Sequence, residues 1–457
     1  MKKKFIFIFC GLFLTGCMIG PNYKKPPVDL PSHYRGSFEI PSVSIGLQKW
    51  WDLFRDKKLQ ELIHMALNQN NDLLIAADHV LEAESQLNIT SSYEWPTVNA
   101  QAGPVGQRYA KTNKSEAYSW GYEQINGSLT WDLDFWGKYR RMIEVSRANL
   151  LAQEWAQRQV MISLVADLAK AYFQLRELDL ELEISKETVK AREQYLKLTK
   201  ELADHGASSL LDVRQAEQLV YAASLNVPDI ERKIGSQENL ISVLLGHNPD
   251  TIERGGVLPQ EPYPLEVPAG LPSELLLRRP DIRQSEAGLI AANAQIGVAQ
   301  GAYFPDISLT ASAGFQSFAL SKLLRGPSGV WDVAASLTEP VFNAGRNRAG
   351  VKLAHAQQQE ALHFYRKTIQ EAFREVSDAL VGYRKTRELM QQQDLLTEAA
   401  GDAARLSEIR YKGGSSSFLE VLTNDTNYYA AQINSAKARL SVLEALIDLY
   451  KALGGGW

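Results

Sequence analysis

Few residues in this chain are placed to do chemistry. It has two cysteines, Cys10 and Cys17, and seven histidines. His355 and His363 stand eight apart, not the four that would put two imidazoles on one helix face. With so few thiols no metal-ligand set assembles. There is no phosphate-cradling glycine loop and no nucleophile motif, so the expectation is a protein that is not an enzyme and carries no catalytic or metal residues. Two carboxylates stand out by position. Asp212 sits in Ser209-x-x-Asp212 and Glu420 in Ser417-x-x-Glu420, 208 positions apart. Both fit a capping box, in which the hydroxyl and the carboxylate satisfy free N–H groups at a helix start.

The sulfur of Cys17 is the other reactive group. Met1 and three lysines precede an apolar run from Phe5 to Leu14. A basic start, a short apolar core and small residues before a cut site describe a secretory signal peptide. The run is about half the roughly 20 residues a spanning helix needs. Leu14-Thr15-Gly16-Cys17 resembles the bacterial lipobox, in which the cysteine is acylated and becomes the first residue. The expected cofactor is therefore only covalent lipid on Cys17, a diacylglycerol and an N-acyl chain. Cleavage there removes Cys10, so no disulfide forms in the mature chain. Met18 stands where an aspartate would signal inner-membrane retention, which implies the outer membrane.

The 457 residues carry a net charge of −4, which argues against a nucleic-acid partner. No later apolar run reaches spanning length, so any membrane crossing must use strands. Pro21 to Pro41 reads as an extended arm, and the prolines from Pro249 to Pro272 read as a linker. The two sides of that linker look alike. "SLTWDLDFWGKYRR" from Ser128 and "SLTEPVFNAGRNRA" from Ser336 are 208 positions apart, as are "GASSLLDV" from Gly206 and "GSSSFLEV" from Gly414. A third pair, "NDLL" near Asp72 and "PDIR" near Asp281, is offset by 209. The reading is a tandem duplication. The expected parts are a signal peptide 1–16, a lipidated arm 17–55, a first repeat 56–248, a linker 249–272 and a second repeat 273–457.

Each repeat opens with a helical pattern, Leu59 to Ser91 and Ser273 to Gln300. Alternating stretches follow, at Val98, Ala100 and Ala102, then Ile125 to Phe135, and in the second copy Ile307 to Phe315 and Val333 to Leu337. Period-two alternation predicts strands and matches outer-membrane barrel strands, though a soluble two-sided sheet has the same pattern. Lys138 to His205 then holds no glycine or proline. Met161, Leu168, Leu175, Leu182, Val189 and Leu196 recur every seven residues, predicting a coiled-coil seam on a helix roughly 100 Å long. Arg346 to Lys412 is its counterpart. Glycine turns lead into shorter returning helices, Ser209 to Leu245 and Ser417 to Leu453, with Pro228 expected to kink the first.

Two strands per copy make four per chain. Four strands cannot close a barrel, and open edges are not tolerated in lipid. Strands in the membrane therefore require several chains, either two with eight strands or three with twelve. Trp131, Phe135 and Trp136 suit an interfacial aromatic belt or a core. Arg278 and Arg279 suit ion pairs or solvent.

The chain resembles the TolC-like outer-membrane efflux proteins, most closely their lipoprotein branch, which includes OprM and CusC and is also called NodT-type. The residues that carry this are "CMIGPNYKKP" from Cys17, "LQELIHMALNQNNDLLIAA" from Leu59, "LDFWGKYRR" from Leu133, "LLLRRPDIRQSEAGLIAANAQIGVAQGAYFPDISL" from Leu275 and "RYKGGSSSFLEVL" from Arg410. The resemblance implies a mainly α fold with a membrane β-barrel. In it, four strands per chain complete a twelve-strand barrel in a homotrimer above a long α-helical coiled-coil tunnel. It implies an exit duct for small molecules such as drugs, in the outer membrane of a Gram-negative bacterium, extending into the periplasm. Its implied partners are outer-membrane lipid, a periplasmic adaptor protein and an inner-membrane transporter of the resistance-nodulation-division (RND) type. The family's periplasmic gate carries over to Asp212, Tyr411, Leu419, Glu420 and Thr423. Ser416 stands where TolC has a gate arginine, and Thr423 where TolC and OprM have an aspartate. A leucine constriction at Leu419 is thus expected in place of a salt-bridged lock. Asp212 and Glu420 would form a ring of six carboxylates in a trimer, which favours cations. Two alternatives remain at this level, the outer-membrane component of type I protein secretion and a lipid-anchored periplasmic coiled-coil scaffold.

Overall fold

A computed structural model describes residues 18–29, 31, 34–35, 56–111, 116–256 and 272–455. The leader with Cys17, most of the arm to residue 55 and residues 257–271 of the linker lie outside the described residues. The first half of the chain forms α1 (Lys57–Gln69), α2 (Asn71–Ser91), β1 (Thr97–Tyr109), β2 (Tyr118–Leu133), α3 (Lys138–Asp204) and α4 (Leu210–Leu244). The second half forms α5 (Pro272–Arg278), α6 (Pro280–Gly301), β3 (Asp306–Ser317), β4 (Gly329–Thr338), α7 (Arg346–Lys412) and α8 (Phe418–Ala452). α3 and α7 have 67 residues each, and α4 and α8 have 35 each.

Three expectations need correction. Each opening helix is two helices. Asn70 divides the first pair, because its Oδ1 accepts from the Leu73 N–H at 3.0 Å and its Nδ2 donates to the Leu244 carbonyl at 2.9 Å. In the second pair Pro280, which has no N–H, opens α6. Pro228 does not interrupt α4, which runs from Leu210 to Leu244 with the proline inside it. Val220 and Ala223 before it and Ile230 after it are all buried, so packing holds both halves in the helical register. Phe135 lies beyond the end of β2.

The chain divides into two compact units, one of residues 1–27, 79–154 and 284–366, the other of residues 28–78, 155–283 and 367–457. Each unit draws on both halves. The first holds one antiparallel sheet in the order β1-β2-β3-β4. Its register places Val98 opposite Leu129, Leu129 opposite Ala311, and Ala311 opposite Val333. One residue along, Asn99, Ser128, Ser312 and Asp332 line up in the same way. Successive side chains leave opposite faces of a strand, so one face is apolar and the other carries Ser, Thr, Asn, Gln and Asp. β1 and β4 are both edges. No helix among the described residues is long and apolar enough to cross a membrane.

The second unit is helical. Asp56 caps α1, taking the Lys58 and Leu59 N–H groups, and accepts from the buried Tyr172 hydroxyl at 2.7 Å. The heptad row of α3 is less buried than its period predicts. Leu168 and Leu175 are buried, but Leu182, Val189 and Leu196 are only half-covered within one chain. The row that is buried there is polar, comprising Glu181, Ser185, Thr188, Arg192 and Thr199. Arg279, in the "RRPDIR" run, is buried too. Its guanidinium reaches Asp281 at 2.5 Å, Glu375 of α7 at 2.7 Å and the Ala452 carbonyl of α8 at 3.1 Å. It tethers the start of α6 to the middle of α7 and the end of α8. Arg279→Met leaves two carboxylates without their cation and is expected to cost about 3 kcal/mol or more. A lower temperature for loss of the helical circular dichroism signal is the readout. An unchanged midpoint would refute the tether.

Candidate functional site

The turns that close the two helical hairpins are built alike. After α3, Gly206 adopts φ +74°, and Ala207 donates to the Leu202 carbonyl at 2.8 Å. After α7, Gly414 adopts φ +73°, and Ser415 donates to the Arg410 carbonyl at 2.9 Å. A left-handed residue lets the chain leave the helix while its last carbonyls stay bonded, and glycine does so without a Cβ clash.

The helix starts that follow are not alike. At α4 the capping box forms as expected. The Asp212 N–H donates to Ser209 Oγ at 3.2 Å, and the Asp212 carboxylate accepts from the Ser209 N–H at 3.0 Å and from Ser208 Oγ at 2.9 Å. The Ser209 N–H, with the two hydroxyls, holds the Asp212 carboxyl below its ordinary pKa. At α8 no such box forms. The Ser417 side chain makes no capping bond, and Glu420 reaches Arg410 at 2.8 Å. The cause lies one repeat away. Position 202, the counterpart of Arg410, is Leu202, so only the second turn offers a cation that competes for the carboxylate.

Tyr411 turns inward. Its ring lies 5.4 Å from that of Phe418, and both pack with Ala216 and Val421 in a small core that includes Leu196. Leu419 points the other way and is 57% exposed. Thr423, one turn on, is also exposed, and its hydroxyl donates to the Leu419 carbonyl at 2.8 Å. The five residues therefore separate into a cap (Asp212), a brace (Tyr411), an ion pair (Glu420) and an exposed pair (Leu419 and Thr423).

Two polar clusters were missed in the sequence. Arg192 is buried on α3, where it donates to Asp425 of α8 at 2.8 Å and to the Leu219 carbonyl of α4 at 3.1 Å. It also lies over the Tyr429 ring, whose hydroxyl meets Ser185 and Asn226. Burial pushes the Asp425 carboxyl up, against the pull of Arg192. Higher on α3, Glu177 and Glu181 are each 5% exposed. Lys437 of α8 reaches Glu181 at 3.1 Å. Glu177 borders a cavity of about 330 Å³ shared with Arg232, Lys233 and Gln237 of α4. Burial first, and the Glu181 charge second, push the Glu177 carboxyl up to about 8. The available signal was a polar residue every three or four positions, which usually marks a solvated face.

The sheet edges, the paired 67-residue helices and the matched turns point to one known architecture. The outer membrane efflux protein family matches residues 62–247 and 271–455. The chain belongs to that family. The toluene efflux pump outer membrane protein TtgC of Pseudomonas putida is 36% identical over 468 residues, covering 100% of this chain and 96% of that protein. SilC of Salmonella typhimurium, described as a probable outer membrane lipoprotein, is 32% identical over 462 residues, with 100% and 99% covered. The structure of the outer-membrane channel OprN superposes with a TM-score of 0.90 at 29% identity, covering 96% of this chain and 100% of that one. The chain is thus an outer-membrane efflux channel, and the scaffold reading falls. In this fold three copies pool their strands into a single twelve-strand barrel that continues into a helical tunnel.

Two outcomes test the site. Ser209→Ala is expected to cost about 1 kcal/mol and to speed amide exchange in the first turn of α4. Ser417→Ala leaves the first turn of α8 unchanged. Equal effects at the two turns would contradict the asymmetry. The Glu177 pKa is raised in the folded state from an ordinary 4.5 to about 8. The folded state thus binds more protons over that range, and the contribution is complete below pH 4.5 and lost as pH rises through 8. After burial itself, Glu181 and Glu444 push the value up and Lys437 pulls it down, while Arg232 and Lys233 face the group across the cavity it borders. The apparent melting temperature should fall from pH 5 to pH 8, less steeply in Glu177→Gln. Parallel profiles would refute the assignment.

Proposed function

We propose that the protein is the passive exit duct of a tripartite assembly, joined by a periplasmic adaptor to an inner-membrane transporter of the RND type. It performs no bond chemistry and holds no cofactor beyond covalent lipid on Cys17. The lipobox at Leu14 to Cys17 and the lipoprotein description of SilC support that anchor. Residues 56–248 and 273–457 act as two copies of one structural unit. The cargo is small molecules, as in the pumps that TtgC serves by name, and this favours efflux over protein secretion.

The observation that carries the reading is the exposed Leu419 one turn beyond Gly414, beside a carboxylate that Arg410 holds in place. In a threefold assembly Leu419 and Glu420 narrow the periplasmic end of the tunnel. Thr423 and Asp212 stand on the same rim, and Tyr411 braces it from inside through Phe418. Apolar constrictions gate by excluding water, and acidic rings favour cations. Replacing Leu419 and Glu420 together with alanine is expected to raise single-channel conductance in planar bilayers and to weaken cation preference. A double variant that conducts like the parent would sink the gate.

A further inference from the structure

Among the described residues, the most deeply buried charge outside the candidate gate is Arg141, 1% exposed, in the first turn of α3. Its acceptors do not lie in the core. Nε donates to the Ile19 carbonyl at 3.0 Å, and Nη2 donates to the Gly20 carbonyl at 3.0 Å and to Asn22 Oδ1 at 2.9 Å. Nη1 meets Glu144 at 2.6 Å. Three of its four bonds thus go to the segment that begins one residue after Cys17. The Ile19 N–H donates to the Trp136 carbonyl at 3.0 Å. Asn293 of α6 donates to the Pro21 carbonyl at 2.8 Å, and Lys25 pairs with Glu286 at 3.1 Å. Residues 18–25 are therefore laid into a fitted track.

The track is built in only one of the two repeats. "GKYRR" at Gly137 to Arg141 corresponds to "GRNRA" at Gly345 to Ala349, so alanine stands where the buried arginine would be. A Cβ on Gly137 would lie 2.7 Å from the Met18 side chain, whereas one on Gly345 would meet nothing within 4 Å. Gly20 sits so close to Gly297 of α6 that its Cβ would lie 2.4 Å from the Gly297 Cα. A Cβ on Gly297 would lie 2.7 Å from the Ile19 carbonyl oxygen. A duplicated unit has specialised one copy to receive one arm.

The track ends at the base of the strands. Met18 packs on Gly137, directly after Trp136, and the Trp136 indole donates to the Pro305 carbonyl at 2.9 Å, next to the start of β3. Cys17 is the residue bonded to Met18 on its N-terminal side. We propose that Arg141 is a positioning residue that locks the acylated N-terminus to the barrel rim between β2 and β3, so that lipid and strands enter the membrane as one unit. This rests on Cys17 being the acylated residue. A free acyl chain would tether the protomer but not set the depth of its strands. A locked one sets both, at the stage when four strands with open edges still await their partners.

The test uses full-length chains, with alkyne-palmitate labelling to report acylation. Cys17→Ser, exported behind a non-lipoprotein signal, is expected to slow the appearance of heat-modifiable trimer. Arg141→Ala, still labelled, slows it similarly, and the double variant is no slower than either single one, because coupled sites are not additive. Trypsin should cleave Arg141→Ala after Lys24 at least about tenfold faster, the loss expected when a charged hydrogen-bond donor is removed; the bond after Lys25 is blocked by Pro26. Arg141→Lys does not restore protection, since an ammonium cannot reproduce the guanidinium fork. Gly297→Ala keeps Arg141, improves helix propensity and still releases the arm, which keeps the idea testable if Arg141→Ala does not fold. Rates that multiply in the double variant, or an arm still protected in Arg141→Ala and Gly297→Ala, would overturn the proposal. Absence of label on the parent would remove the lipid while leaving the protease result to judge the arm lock alone.

Discussion

A β-strand edge in hydrocarbon has no water to pair with, and each bare N–H or C=O costs several kcal/mol. β1 and β4 are both edges of a four-stranded sheet, so a single chain cannot remain in the membrane by itself. Closing the sheet against neighbouring copies satisfies those groups and turns the apolar face, with Val98, Leu129, Ala311 and Val333, toward lipid. The polar face, with Asn99, Ser128 and Ser312, then lines the interior. α3 and α7 begin only a few residues after the strand pairs. The conduit follows from satisfying backbone hydrogen bonds.

Three arginines are buried among the described residues, Arg141, Arg192 and Arg279. Each joins segments far apart in the chain. Arg141 ties α3 to residues 19–22, Arg192 ties α3 to Asp425 and Leu219, and Arg279 ties α6 to Glu375 and Ala452. A buried cation is tolerated only where several acceptors converge on it, and removing one partner costs more than the pair contributes. The guanidinium, with five fixed donors, reaches three or four acceptors at once. Long helices meet mainly along narrow seams, and such cross-links restrict how they slide past one another.

Much of the fold was legible along the chain. The 208-residue offset, the period-two runs and the glycine-free stretches placed the strands and the long helices within a few residues. The site was legible only in part. Ser209 and Ser417 present the same local pattern, yet only Ser209 forms a capping box, because Arg410 draws Glu420 away and Leu202 cannot do the same to Asp212. The polar row at Glu181, Ser185, Thr188 and Arg192 reads as a water-facing stripe. It is buried because Lys437, Tyr429 and Asp425 come to meet it from α8.

The residue order alone determined the strand alternation and the helix lengths. Each of these is set by neighbours a few positions apart, through backbone sterics and the periods of helix and strand. Tertiary structure decided which face of α3 is covered, which of two equivalent serines caps its helix and where the N-terminal arm lies. The covered face and the place of the arm depend on groups separated by more than a hundred residues, such as Arg141 and Ile19, whose meeting leaves no mark in either local pattern. The capping choice turns on Arg410, ten residues from Glu420. Only when the chain has folded does the cost of burying an unpaired charge select one arrangement.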